Sequence, residues 1–152
     1  MRFKRSYQLF TLSAMAASSL LLGGMASAAT PLHGATYSGS FGPPSSFAPT
    51  ISFKVSANGK VVNKFQVPSP PVGCQGGEFG SASGGSAEVS KAGKFSITLN
   101  LIFAQRNSTT GHVVITGMFQ TKGTEKGSIT SVFTGSSFPK TCNRTESYTT
   151  KT

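Results

Sequence analysis

The chain predicts an all-β domain: an antiparallel up-and-down meander of about eight to nine strands, closing as a barrel or a two-sheet sandwich. Three observations carry this. Apolar and polar residues alternate with period two in several separate runs. That is the pattern of a strand with one buried face. No 11-residue window carries helical spacing. Gly, Pro, Ser and Thr fall between the runs, where turns belong.

Residues 1–28 stand apart from that domain. Arg2, Lys4 and Arg5 precede an apolar run from about Leu9 to Leu22, then Gly23-Gly24 and Ala26-Ser27-Ala28. A positive start, an apolar stretch and a small-residue end make a secretory signal peptide. Cleavage is expected between Ala28 and Ala29. The run is shorter than the roughly 20 apolar residues of a spanning helix. No later segment is long or apolar enough to span a bilayer as a helix. The expected product is one secreted, extracytoplasmic domain, residues 29–152.

The elements of that domain follow in order. Thr36–Phe41 reads as a first strand, with Tyr37 and Phe41 on one side and Gly39 between them. Ile51, Phe53 and Val55 alternate with Ser52, Lys54 and Ser56. The motif V-S-x-x-G-K-(apolar) occurs twice, at 55–61 and at 89–95. Each copy predicts a hairpin whose three-residue loop ends in a left-handed glycine, Gly59 or Gly93. That register pairs Val55 with Val61, Ile51 with Phe65, Val89 with Phe95 and Ala87 with Ile97. It leaves Asn63 opposite Phe53. A third hairpin joins 113–120 to 128–134 across a loop at 122–126, pairing Phe119 with Ile129 and Ile115 with Phe133. Residues 141–150 form the last strand. Residues 42–49 and 80–86 read as loops, rich in Gly, Pro and Ser.

Cys74 and Cys142 are the only cysteines. In an oxidising compartment an even pair reads as one disulfide. It would close a loop of about 68 residues, for which chain entropy gives roughly 4 kcal/mol. Cys74 falls in or near a Gly-rich strand that includes Phe79, so the bridge ties a central strand to the last one.

Several local signatures recur together: Tyr37-x-Gly39, I-x-F-x-V at 51–55, G-K-V-V at 59–62 and Cys74. They continue with G-K-F at 93–95, Ile115-x-Gly117-x-Phe119, G-x-I at 127–129 and Cys142. This order resembles a loose group of small exported bacterial all-β proteins with two cysteines and no established function. The resemblance covers most of residues 35–150. It implies the β fold and transfers no catalytic residue.

The residues offer little chemistry. The carboxylates are Glu78, Glu88, Glu125 and Glu146, and there is no Asp. A Ser-His-Asp triad is therefore absent as written. Glu125 reads as part of a Lys-flanked turn, and Glu88 as outward on its hairpin. Glu78 and Glu146, each near a cysteine, are the one pair that a glycosidase-like hydrolase would use. That requires carboxyl groups about 5–9 Å apart. His33 lies in the loose new N-terminus and His112 at a strand start, each reading as a surface residue. Two distant cysteines with these histidines do not make a zinc site. No G-x-S-x-G elbow or phosphate loop is present. No cofactor and no metal are expected.

Charge is the remaining signal. The chain has 14 basic and 4 acidic residues. Removing the leader's three basic residues leaves 11 against 4, about +7 for the domain. Lys54, Lys60 and Lys64 are expected to share the outward face of the first hairpin. They form a candidate anion-contact face for an anionic cell-envelope polymer. The plainer reading of the lysines is solubility and protected strand edges. Only Arg106 and Arg144 are arginines in the domain, without basic-aromatic interleaving, which disfavours specific nucleic-acid binding. The sequence thus predicts a non-enzymatic exported module for binding or surface association. A carrier for a small apolar ligand and a small hydrolase stand as alternatives.

Overall fold

A computed structural model describes residues 29–42, 48–71, 80–103, 110–120, 123–135 and 142–152. The expected leader, residues 1–28 with Ala28 at its end, and Cys74, Glu78 and Arg106 lie outside these residues. Nine antiparallel strands form one nearly closed, barrel-shaped sheet. They are β1 (Thr36–Phe41), β2 (Thr50–Val55), β3 (Val61–Val67), β4 (Gly80–Glu88), β5 (Lys94–Asn100), β6 (Ile102–Phe103), β7 (Thr110–Phe119), β8 (Thr124–Thr134) and β9 (Cys142–Lys151).

The order β5-β7-β8-β9-β1-β2-β3-β4-β6 is a meander whose last long strand returns to the first. Gly39 faces Thr150 and Phe41 faces Tyr148 across that closure. β5 and β6 are one course broken at Leu101. Its first part pairs with β7. Its second part crosses to β4, with Gly80 opposite Phe103. Between these two attachments β4 and β5 meet through side chains. A Cβ added at Gly85 would lie 2.6 Å from Leu99 and 2.7 Å from Ile97. The barrel, not the sandwich, is the closure that occurs.

Alternation decides what is inside. Ile51, Phe53 and Val55 on β2, Val113, Ile115 and Phe119 on β7, and Ile129 and Phe133 on β8 are all buried. Rings fill the centre. Phe53 stacks on Tyr37 at 5.4 Å and lies 5.3 Å from both Phe65 and Phe95. Phe119 meets Phe95 at 5.7 Å and Tyr37 at 5.2 Å. The outward positions carry Ser, Thr and Lys, as in the row Ser96, Thr116, Ser128, Ser147. This is the inverse of a membrane barrel, whose apolar band faces out.

Four expectations are corrected. Residues 80–86, expected as a loop, belong to β4, which pairs with β3 from Val61↔Glu88 to Val67↔Ala82. The first hairpin pairs Val55 with Val62 across a four-residue loop, rather than with Val61. A bulge follows between the levels of Ser52 and Lys54, with Lys64 at φ 54°. The extra residue lets Val62 and Phe65, an odd distance apart, both point inward. It leaves Asn63 half-buried instead of opposite Phe53. The second copy of the motif makes its three-residue loop, with Ser90 N–H bonded to Lys94 O at 2.8 Å. The ladder stops there, and Ala87 pairs with Val62 instead of Ile97. Finally, β7 and β8 pair four residues out of the expected register. Ile115 faces Ile129, Gly111 faces Phe133, and Phe119 faces Glu125. The loop is shorter than expected, so Glu125 enters the strand.

Candidate functional site

One end of the barrel gathers the turns at 56–60 and 90–93, together with Gln120 and Gly123. The two V-S-x-x-G-K copies build the two turns in related ways. Ser56 Oγ accepts from Val61 N–H at 3.0 Å, and Ser90 Oγ accepts from Lys94 N–H at 3.1 Å. Gly59 and Gly93 donate back to the Ser56 and Ser90 carbonyls. The two glycines have φ of 71° and 69°, the region where Gly carries no Cβ penalty.

The segment 29–35 crosses this end and touches both turns and Gly123. The His33 ring lies against Gly59, the Ala29 carbonyl against Gly93, and the Leu32 side chain against Gly123. Pro31 is buried. Leu32 N–H donates to the Tyr37 hydroxyl at 3.1 Å, and Gly34 N–H to Ser56 O at 3.1 Å. Val55 N–H donates to Ala35 O at 2.9 Å. The start of the domain, expected to be loose, is thus a strap packed across the barrel mouth. Between strap and turns lies a cleft of about 620 Å³. Its lining includes His33, Asn58, Lys60, Glu88, Ser90 and Lys91.

The same end is basic. Eight basic residues fall among the described ones, and six stand in its turns or near the strand ends that meet them. These are Lys54, Lys60, Lys91, Lys94, Lys126 and Lys151, all exposed. Lys94, Met118 and Lys126 form one cross-strand row beside the mouth. The three lysines expected as a face are exposed, but they do not stand apart as a unit. Lys64 sits on the bulge in mid-strand, and Lys60 lines the cleft with Lys91. The collar was legible only once the topology brought distant turns together.

The carboxylates divide. Glu88 is exposed at the rim, as expected. Glu125 is fully buried. Its Oε2 accepts from Thr150 Oγ1 at 2.7 Å, while its Oε1 has no hydrogen-bond partner. The cross-strand pair Gly117↔Gly127 makes room for it: a Cβ at Gly117 would collide with Oε1 and the Phe95 ring. Burial raises the Glu125 carboxyl from 4.5 to about 7. The Thr150 hydroxyl, and more weakly Tyr148 and the Met118 backbone, work against that rise. The Tyr148 hydroxyl donates to Thr116 O at 3.2 Å. Burial first, and the Glu125 charge second, push its phenol well above the usual range. With 0% exposure, Glu125 lies out of a substrate's reach.

The remaining candidates lie elsewhere. Glu146 is held by Arg144, with Nε and Nη2 at 2.7 and 2.5 Å from Oε1. Its proposed partner Glu78 lies outside the described residues. Cys142 is buried at the start of β9, opposite Phe133. His112 is half-buried within β7, between Asn100 and Val132. Among the described residues no three His, Cys, Asp or Glu side chains are grouped to hold a metal, and no helix is long and apolar enough to cross a membrane. Comparison with family models, curated proteins and solved structures finds no match to this chain.

Proposed function

We propose that the chain is exported, loses residues 1–28, and acts as a non-enzymatic barrel that associates with an anionic cell-surface polymer through its basic end. A Cys74–Cys142 disulfide is part of this reading. One observation supports it above the others. Six lysines crowd around one barrel mouth, where Glu88 is the sole exposed carboxylate among the described residues. A field of one sign on one end attracts and orients a polyanion. The interior speaks for surface contact rather than carriage. Phe53, Phe65, Phe95, Phe119 and Phe133 are all buried, and the first four interlock.

Retention on an immobilised polyphosphate matrix tests the reading. The exported protein should elute with salt, because exposed charges more than about 10 Å apart are screened at 0.1 M. A Lys60→Gln, Lys91→Gln, Lys94→Gln variant should elute earlier. Retention that is indifferent to salt, or to these three changes, would overturn it.

A further inference from the structure

The cleft at the mouth is a different kind of feature from the lysines around it. Its 620 Å³ is the size of a small-molecule site rather than a polymer track. Its walls come from the twin turns, Asn58 to Lys60 on one side and Ser90 to Gly93 on the other. The strap, with Ala29, Thr30, Pro31 and His33, supplies the rest.

Several backbone N–H groups of these turns are already engaged. Gly59 and Gly93 N–H bond the serine carbonyls, and Val89 N–H bonds Lys60 O. Lys60 N–H bonds Asn58 Oδ1 at 3.1 Å, and Ser56 Oγ donates to the same oxygen. Side chains supply the Lys60 and Lys91 ammonium groups and the amide nitrogen of Asn58. Glu88 is the opposing charge in the lining.

Ala29 adds what the side chains do not. While the leader is attached, its nitrogen is a neutral amide with one N–H. After a cut between Ala28 and Ala29 it is an ammonium with three donors, on a residue that lines the same cleft. We propose that leader removal completes an anion-binding site here, in which the Ala29 α-ammonium, Lys60 and Lys91 hold one phosphate or carboxylate group. The inference rests on the proposed export and basic-end association. It narrows the ligand to a compact anionic group such as one repeat of a phosphate-bearing polymer.

The test uses isotope-labelled exported protein whose first residue is fixed by mass spectrometry. Inorganic phosphate, and separately glycerol phosphate, is titrated while the amide signals of Gly59, Ser90 and Gly93 are followed. Expected are saturable shifts at these amides. A Lys60→Gln, Lys91→Gln variant should lose them. A form carrying two extra residues before Ala29 should bind on the order of three- to fivefold more weakly, as for loss of one exposed ion pair. Its retention on polyphosphate should persist. A start other than Ala29, absence of shifts at the mouth, or equal binding by the extended form would overturn the proposal. Mouth shifts without polymer retention would support the site while sinking the polymer reading. Retention without shifts would do the reverse.

Discussion

The buried carboxyl of Glu125 makes stability depend on pH in an unusual direction. Folded-state carboxylates are commonly paired, and their loss on acidification unfolds proteins. Here burial raises the folded value from 4.5 to about 7. The folded state therefore binds a proton that the unfolded state has released across that window. Its contribution is fully present below about 4.5, falls as pH rises, and is lost above about 7. At about 1.4 kcal/mol for each pH unit, the span of roughly 2.5 units amounts to about 3.5 kcal/mol. Urea unfolding followed by far-ultraviolet circular dichroism between pH 4 and 8 measures it. Glu125→Gln keeps the shape and an acceptor for Thr150 without the charge. Wild type should lose about 2.5 kcal/mol more than this variant between pH 5 and 8. The paired comparison cancels every other titrating group. Identical pH profiles for the two proteins would refute the reasoning, as would a wild type that gains stability relative to the variant on going to pH 8.

Three further substitutions probe the packing. Phe53→Ala removes the ring that contacts Tyr37, Phe65, Phe95 and Phe119, and should cost about 3–5 kcal/mol in urea unfolding. A loss under 1 kcal/mol would mean the rings do not form one core. Lys64→Gly relieves a left-handed side chain at φ 54°. Net of glycine's entropy it should stabilise by about 0.5–1 kcal/mol, and a lower melting temperature would count against the bulge. Tyr37→Phe deletes the hydroxyl that accepts from Leu32 N–H. A loss of about 1 kcal/mol, with faster amide exchange at Leu32, is expected. Unchanged exchange would show that the strap docks without that bond.

What the sequence discloses depends on how cleanly side chains report the face they occupy. β2 and β5 alternate without interruption, and their inward residues were readable. β3 was not, because Val62 and Phe65 are three apart and only a bulge puts both inside. Nothing apolar marks the bulge, and Lys64 is an unusual residue for positive φ. β4 was missed for another reason. Gly-Ser-Ala-Ser-Gly-Gly-Ser-Ala-Glu is depleted in strand formers, and β3 holds it in place through the ladder. Its Gly85 gives Ile97 and Leu99 the space that a side chain would fill. Glu125 was hidden by its neighbours, since lysines and glycines around it mimic a turn. The usable signal was the alternation itself. Stepping back by twos from Phe133 through Ser131, Ile129 and Gly127 lands on Glu125.

Two of the features that sequence patterning missed, the buried Glu125 and the strap of residues 29–35, meet at the same end of the barrel. The Gly117↔Gly127 pair empties the wall there, and the Glu125 carboxyl, the Phe95 ring and the Tyr148 ring occupy the space. The strap closes that end over three further glycines, Gly59, Gly93 and Gly123. A barrel sealed by side chains alone would need large residues at its rim. This one uses glycines at the rim and brings its own N-terminal segment across them. The barrel's mouth is therefore complete only with residues 29–35 in place. The first residues after the expected cleavage site are for that reason part of the fold, and the proposed anionic partner would meet a surface that those residues help to form.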